Sequence, residues 1–379
     1  MNLTSLALLF ITIVALTITS VQTVLTLLFR RRGRFFVPGP RFRRADSFVS
    51  ILKPVCGLDD ELQQNLESFT RIRGVDYEVV VSVADPDDPA LAVVERVRRA
   101  HPRTAIRIVI GGDPRLEDGN RKVARLIAAA RQAKGDIFLI SDSNVRTEAD
   151  DLLQTLAMFD DPRIGCVSNL FTAAHASSFG ARIETVHLLG FVVPGCVIAA
   201  FGRVPCVVGK SMAITREALE SIGGFERFAR VLAEDQAIGL AVKEAGFDVA
   251  LSPVVVRNIV VKRTLKRALD RQIRWNKIRY AFSKGSYASE FLVNPLPFAI
   301  LTFHPAVMIA AALMRIAQMA LLGIATNAPL TWRELALVPL QDLLQFVAQF
   351  VPYFDDTVTW RGYRLRIGPN TELVEAIAA

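Results

Sequence analysis

At 379 residues the chain is longer than one ordinary domain needs, and its 51% hydrophobic composition with a mean hydropathy of +0.33 is high for a protein that meets only water. The four cysteines, Cys56, Cys166, Cys196 and Cys206, form no CxxC pair and have no histidine at ligand spacing, which argues against a zinc site or a disulfide framework and fits reduced thiols. The net charge of +8 comes mostly from Arg30, Arg31, Arg32, Arg34, Arg41, Arg43 and Arg44, so the basicity is local and no nucleic-acid partner is expected.

The run from Asn2 to Phe29 is uncharged and exceeds the about 20 residues of helix that cross a bilayer. Arginines follow this run instead of preceding it, and no small-residue cleavage site closes it. Residues 1–30 therefore read as an uncleaved transmembrane anchor. The positive-inside rule places Arg30–Arg44 and the following domain, residues 31–285, in the cytoplasm, with a bacterial inner membrane as the expected location.

From Phe48 the pattern alternates between strands and helices. Phe48–Leu52 reads as a buried strand broken by Lys53-Pro54, Asp59–Thr70 as a helix, and Tyr77–Val83 as the next strand. Helix Ala90–Ala100, strand Ala105–Ile110, helix Lys122–Ala133 and strand Asp136–Ser141 follow. This alternation predicts an α/β domain with a mostly parallel sheet and ligands at the carboxyl ends of its strands. Asp150–Phe159 then reads as helix, Ile164–Leu170 and Val207–Ile214 as strands, and Arg216–Ser221 as a helix stopped by Gly223-Gly224. Between them Val186–Gly202, interrupted by Gly190, Pro194 and Gly195, is too short and broken to span a membrane; it reads as an interfacial or re-entrant segment or as a core helix.

Two strands end in acids. Asp85, Asp87 and Asp88 follow the second strand, where Asp and Pro are equally good turn residues. Asp142 follows the apolar run Ile137–Ile140. A carboxylate where a buried strand surfaces suits a hard divalent cation shared with a diphosphate, and Ser141-Asp142-Ser143 suits a helix cap as well. The loop Gly111–Lys122 enters a helix, so its amides and Lys122 could face a nucleotide phosphate, or the loop is an ordinary glycine-rich connection. Ala233-Glu234-Asp235-Gln236 opens a further helix, and Arg271, Arg274 and Trp275 share one face of a later one by their i, i+3, i+4 spacing. A carboxylate with two arginines and an indole can serve a reaction that deprotonates a hydroxyl beside a phosphorylated leaving group. The same helix, preceded by Lys262, Arg263, Lys266 and Arg267, also suits a basic interfacial element. Residues 286–379 return to lipid: Phe291–Ala325 holds one span or a kinked hairpin, and Leu335–Phe354 a second span or an amphipathic helix.

Taken together, Asp85-Pro-Asp-Asp-Pro-Ala90, Asp142, Ala233-Glu-Asp-Gln-Ala237 before Ala245-Gly246-Phe247, Arg271-x-x-Arg274-Trp275 and the tail Thr359-Trp-Arg-Gly-Tyr-Arg-Leu-Arg366 resemble the processive-type family 2 glycosyltransferases. They are more similar to the ceramide glucosyltransferases of family 21, with bacterial hopanoid-associated relatives among them. The resemblance covers nearly the whole chain. It implies a GT-A domain between N- and C-terminal transmembrane helices, a UDP-sugar donor, a divalent cation (Mg2+ or Mn2+) and a lipid acceptor, ceramide or a hopanoid. Carried over by position, Asp85 and Asp87 with Lys122 would serve the donor, Asp142 the metal that bridges the diphosphate, and Asp235 the acceptor hydroxyl as general base. Arg271 and Arg274 would face the diphosphate and Trp275 the acceptor. Val193-Pro194 stands where animal members carry His-Pro, and Asn144 where relatives carry Gly. The expected reaction is inverting transfer of a hexose, glucose first, to ceramide. The alternatives are N-acetylglucosamine or a similar sugar on a hopanoid, a polysaccharide synthase and a non-catalytic membrane scaffold.

Overall fold

The computed structural model describes residues 3–34, 47–112, 119–360 and 363–376. Arg41, Arg43 and Arg44, much of the loop before Lys122, and Arg361-Gly362 of the tail signature lie outside them. The chain forms two compact units interleaved in sequence. One comprises residues 32–171 and 199–259, the other residues 1–31, 172–198 and 260–379.

The first unit is built on an eight-stranded sheet. Its strands are β1 (Val49–Val55), β2 (Tyr77–Val83), β3 (Ile106–Ile110), β4 (Ile137–Ser141), β5 (Val145–Arg146), β6 (Ile164–Ala174), β7 (Ser211–Thr215) and β8 (Asp248–Ile259), in the order β3-β2-β1-β4-β7-β6-β8-β5. The half β3-β2-β1-β4 is parallel, as the alternation predicts; β7 pairs antiparallel with β4 and β6, and β5 with β8. β1 does not break at Lys53-Pro54. It runs on to Val55 along β2, while its pairing with β4 covers only Val49–Leu52, so Pro54 lies beyond that ladder and its missing N–H costs nothing there. Helix Arg121–Gln132 presses Val123, Leu126 and Ile127 into a core shared with Leu52, Val80, Phe138 and Ile214. In the parallel half the chain order turns between β1 and β4, and the end of β4 delivers Asp142.

The second unit is mostly helical. Among the described residues, three helical runs are long and apolar enough to cross a membrane: Leu3–Arg31, Phe179–Phe201 and Pro305–Ala325. Only 17% of the most apolar stretch of the first is buried, and Phe10 and Ile13 are more than half exposed, surface that lipid would cover. The second corrects the expectation for Val186–Gly202. Gly190 falls in a π-turn, Leu188–Val192, and Pro194 enters the helix Val193–Phe201 just after it, so the helical run stays continuous and reaches spanning length. Leu335–Phe354 resolves into the eleven-residue helix Val338–Ala348, too short for a span, whose Asp342 pairs with Arg315. A small antiparallel sheet, β9 (Thr357–Trp360), β10 (Tyr363–Ile367) and β11 (Leu373–Ala376), ends the described chain.

Candidate active site

In the first unit, three carboxylates and three lysines from five segments meet at the end of β4. Asp142 emerges there with its side chain 24% exposed, Lys122 Nζ 3.0 Å from Oδ1 and Lys210 Nζ 2.9 Å from Oδ2. Lys122 comes from the first turn of its helix, whose cap is Asn120: the Asn120 side-chain oxygen accepts from the Lys122 and Val123 amides, while its Nδ2 donates to Val231 O and to Glu234 Oε2 at 2.9 Å. Lys122 Nζ also stands 2.8 Å from Glu234 Oε1, so Glu234 is held at both oxygens and buried. Fully buried Lys53 donates to the Asp142 carbonyl at 2.7 Å, and Ser143 donates to Asp59.

Asp235, half-buried beside Glu234, accepts from the Gly209 amide at 2.5 Å and the Gln236 amide at 2.8 Å. A Cβ at Gly209 would stand 2.7 Å from Lys122 Nζ and 3.0 Å from Asp235 Oδ2, so a side chain there would push on both charged groups.

These contacts separate the groups electrically. Burial works against charge at Asp142, but Lys122 and Lys210 outweigh it and hold that carboxyl far below its ordinary range. Burial likewise opposes the charge on Lys122, and Asp142, Glu234 and Asp235 together raise it well above an ordinary lysine. Asp235 goes the other way: burial and the neighbouring Glu234 raise it to about 6, against Lys122 and two backbone amides. Burial pushes Lys53 down to about 7, with Asp142 and Asp59 pulling back. One carboxylate locked in its charged form next to one that keeps its proton more readily is the division of labour that general-base chemistry beside an anionic leaving group requires.

Asp85 and Asp87 sit exposed on the turn after β2, where Asp85 Oδ1 accepts from the Asp87 amide at 2.8 Å. Asp88 ties that turn down, accepting from the Gly57 and Ala90 amides. The cluster thus brings together Asp142, Lys122 and Asp235 from the sequence-derived set. It adds Lys210, Lys53 and Asn120, which sequence spacing does not single out because they converge from separate segments.

Arg271, Arg274 and Trp275 lie on the helix Leu265–Phe282 of the second unit. The Arg271 guanidinium pairs with Glu184 and lies 4.7 Å over the Trp275 ring. Glu184, 1% exposed, also holds Arg263 at 2.6 Å, and no sequence pattern had marked it. Trp275 meets His187, which stacks on Phe191.

Among the described residues no three His, Cys, Asp or Glu side chains form a metal cage. Mg2+ and Mn2+ do not require one: such ions use one or two carboxylates together with substrate phosphates and water. Both Asp142 oxygens already face ammonium groups, so a cation shared with a diphosphate would compete with Lys122 and Lys210 for this carboxylate.

A mannosyltransferase from Pyrobaculum calidifontis, solved in complex with GDP-Man and Mn2+, is 20% identical to this chain with a TM-score of 0.54 over 91% of this chain and 99% of its own, which shows the GT-A fold. Ceramide glucosyltransferase 1 of Caenorhabditis elegans is 29% identical over 234 residues, 62% of this chain and 50% of its own length. An N-acetylglucosaminyltransferase of Rhizobium meliloti (strain 1021) is 25% identical over 248 residues, 60% of this chain and 56% of its own. The chain spans about half the length of these curated relatives. The sequence model of glycosyl transferase family 21 matches residues 7–373, and with the strand-end carboxylate, the helix-opening Glu234-Asp235 pair and the GT-A sheet all in place, the chain belongs to glycosyl transferase family 21.

Proposed function

We propose that the protein is a membrane-bound inverting hexosyltransferase that moves glucose from UDP-glucose to the primary hydroxyl of ceramide. The observation that carries this reading is Lys122, bridging the charged Asp142 and the Glu234-Asp235 pair at 3.0 and 2.8 Å, so that a diphosphate-side carboxylate and a candidate base belong to one network. Asp85 and Asp87, exposed after β2, are assigned to the nucleoside end of the donor. A divalent cation, Mg2+ or Mn2+, held by Asp142 would supply Lewis-acid charge against the departing diphosphate. Asp235 removes the proton from the acceptor hydroxyl, and the oxygen attacks the anomeric carbon opposite the leaving group. The bond from that carbon to the β-phosphate oxygen breaks with its electron pair going to UDP, and Lys122 balances the charge left there. Arg271, Arg274 and Trp275 are assigned to the same transfer, with Glu184 fixing the Arg271 guanidinium.

A lipid acceptor is supported by the apolar, lipid-suited helices and by the Caenorhabditis elegans relative. Leaving the bilayer would cost such a lipid about 0.8 kcal/mol per CH2, so the enzyme works at the membrane surface. The arginines Arg30–Arg34 closing the first helix support a cytoplasmic location for residues 31–285, the side on which UDP-sugars are made. A second reading is N-acetylglucosamine transfer to a hopanoid polyol: the Rhizobium relative favours that sugar, and Val193-Pro194 in place of His-Pro favours an acceptor other than ceramide. Purified protein given UDP-glucose or UDP-N-acetylglucosamine with ceramide or the hopanoid decides between them. Glucosylceramide of inverted configuration is expected; product from the hopanoid only, or a retained configuration, overturns the first reading.

A further inference from the structure

We propose that Lys210 is a second diphosphate-binding cation, one that competes with the divalent metal for Asp142 and lets the donor bind without it. The proposal deepens the donor reading above and rests on it. Lys210 Nζ lies 2.9 Å from Asp142 Oδ2 and 2.9 Å from Asn144 Oδ1, on a side chain only 12% exposed. Lys122 takes the other carboxylate oxygen at 3.0 Å. The Lys210 backbone is held as well, because the preceding Gly209 donates its amide to Asp235. Asn144 supplies an amide oxygen that a glycine would not, so Lys210 is held at the carboxylate by two acceptors.

With both Asp142 oxygens facing ammonium groups, an incoming metal ion meets two like charges at close range, and moving one of them away relieves the repulsion. A displaced Lys210 keeps its charge, and a bound diphosphate offers the oxygens it needs. Conversely, Lys122 and Lys210 together present two positive charges to a diphosphate before any metal arrives. During transfer the bond between the anomeric carbon and the β-phosphate oxygen breaks, the electron pair stays on the phosphate, and Lys210 neutralises it without giving up its proton.

The test measures UDP binding in EDTA by calorimetry and Mn2+ binding without nucleotide by electron paramagnetic resonance, for wild type, Lys210→Met and Lys210→Arg. In EDTA, Lys210→Met should lose about 10- to 100-fold in UDP affinity, the worth of one charge-assisted hydrogen bond, while Lys210→Arg keeps most of it. Without nucleotide, Lys210→Met should bind Mn2+ more tightly, because Asp142 loses a competitor. A lysine that only supports the fold would weaken both. Unchanged UDP affinity in EDTA, weakened Mn2+ binding, or wild type that binds UDP only with Mn2+ overturns the proposal. Wild type that binds no UDP even with Mn2+ overturns the donor reading itself.

Discussion

The two units bury charge in opposite ways. In the helical unit Arg315 meets Asp342 through two hydrogen bonds of 2.8 and 3.1 Å, the side chains are 4% and 7% exposed, and Gln318 extends the pair to Ser20 on the first apolar helix. Beside it Gln272 and Gln341 exchange reciprocal amide hydrogen bonds at 3.2 Å, and Gln345 donates to Asn276. Apart from Asn276 Nδ2 and Gln345 Oε1, which find no hydrogen-bond partner, these amides and ions pair among themselves, which is how polar groups persist between apolar helices. At the end of β4, by contrast, Lys122, Lys210 and Asp142 remain 12–24% exposed, and Asp235 carries a raised pKa. A closed ion pair fixes a fold; a partly open cluster with opposed carboxyls keeps the capacity to exchange partners with a substrate.

If the comparison holds, Asp235→Asn should lower kcat by about 10²–10⁴-fold, the usual worth of a general base, in a lipid-transfer assay. It should also raise Tm at neutral pH. A carboxyl whose folded pKa lies above its unfolded value loses stability as pH rises through about 6, and the amide is free of that cost. In the closed region, Asp342→Leu should cost about 3–5 kcal/mol by stranding Arg315, whereas Asp342→Leu with Arg315→Met should restore most of it, both read from thermal unfolding in one detergent. Gln341→Leu leaves the Gln272 amide without its buried partner and should cost about 1–3 kcal/mol in the same assay. The smallest effect is a pH limb. Because the base must be unprotonated, kcat/KM should fall about tenfold per pH unit below about 6 and level off above it; a limb near pH 4 would mean that the Asp235 environment is not the one described.

Much of the sheet was legible in the sequence. Strand β2 and the helices Ala90–Ala100 and Arg216–Ser221 have the boundaries their patterns predict. Lys53-Pro54 misled because a proline signals a break locally, while parallel pairing beyond Leu52 lets the strand continue. Gly190 and Pro194 misled for a related reason, since a π-turn absorbs them. In the site, Asp142 and Asp235 were readable because each marks the boundary of an element. Lys210 and Glu184 were not, since their partners lie far along the chain and only the fold brings them together.

The central claim, that the Asp142 cluster receives the donor diphosphate, is tested most directly by titrating UDP, with and without Mn2+, into Asp142→Asn and into Arg315→Met with Asp342→Leu. The account predicts that the first loses the gain in UDP affinity that Mn2+ brings, while the second keeps wild-type affinity and that gain. A Mn2+-dependent gain in Asp142→Asn as large as in wild type would contradict it.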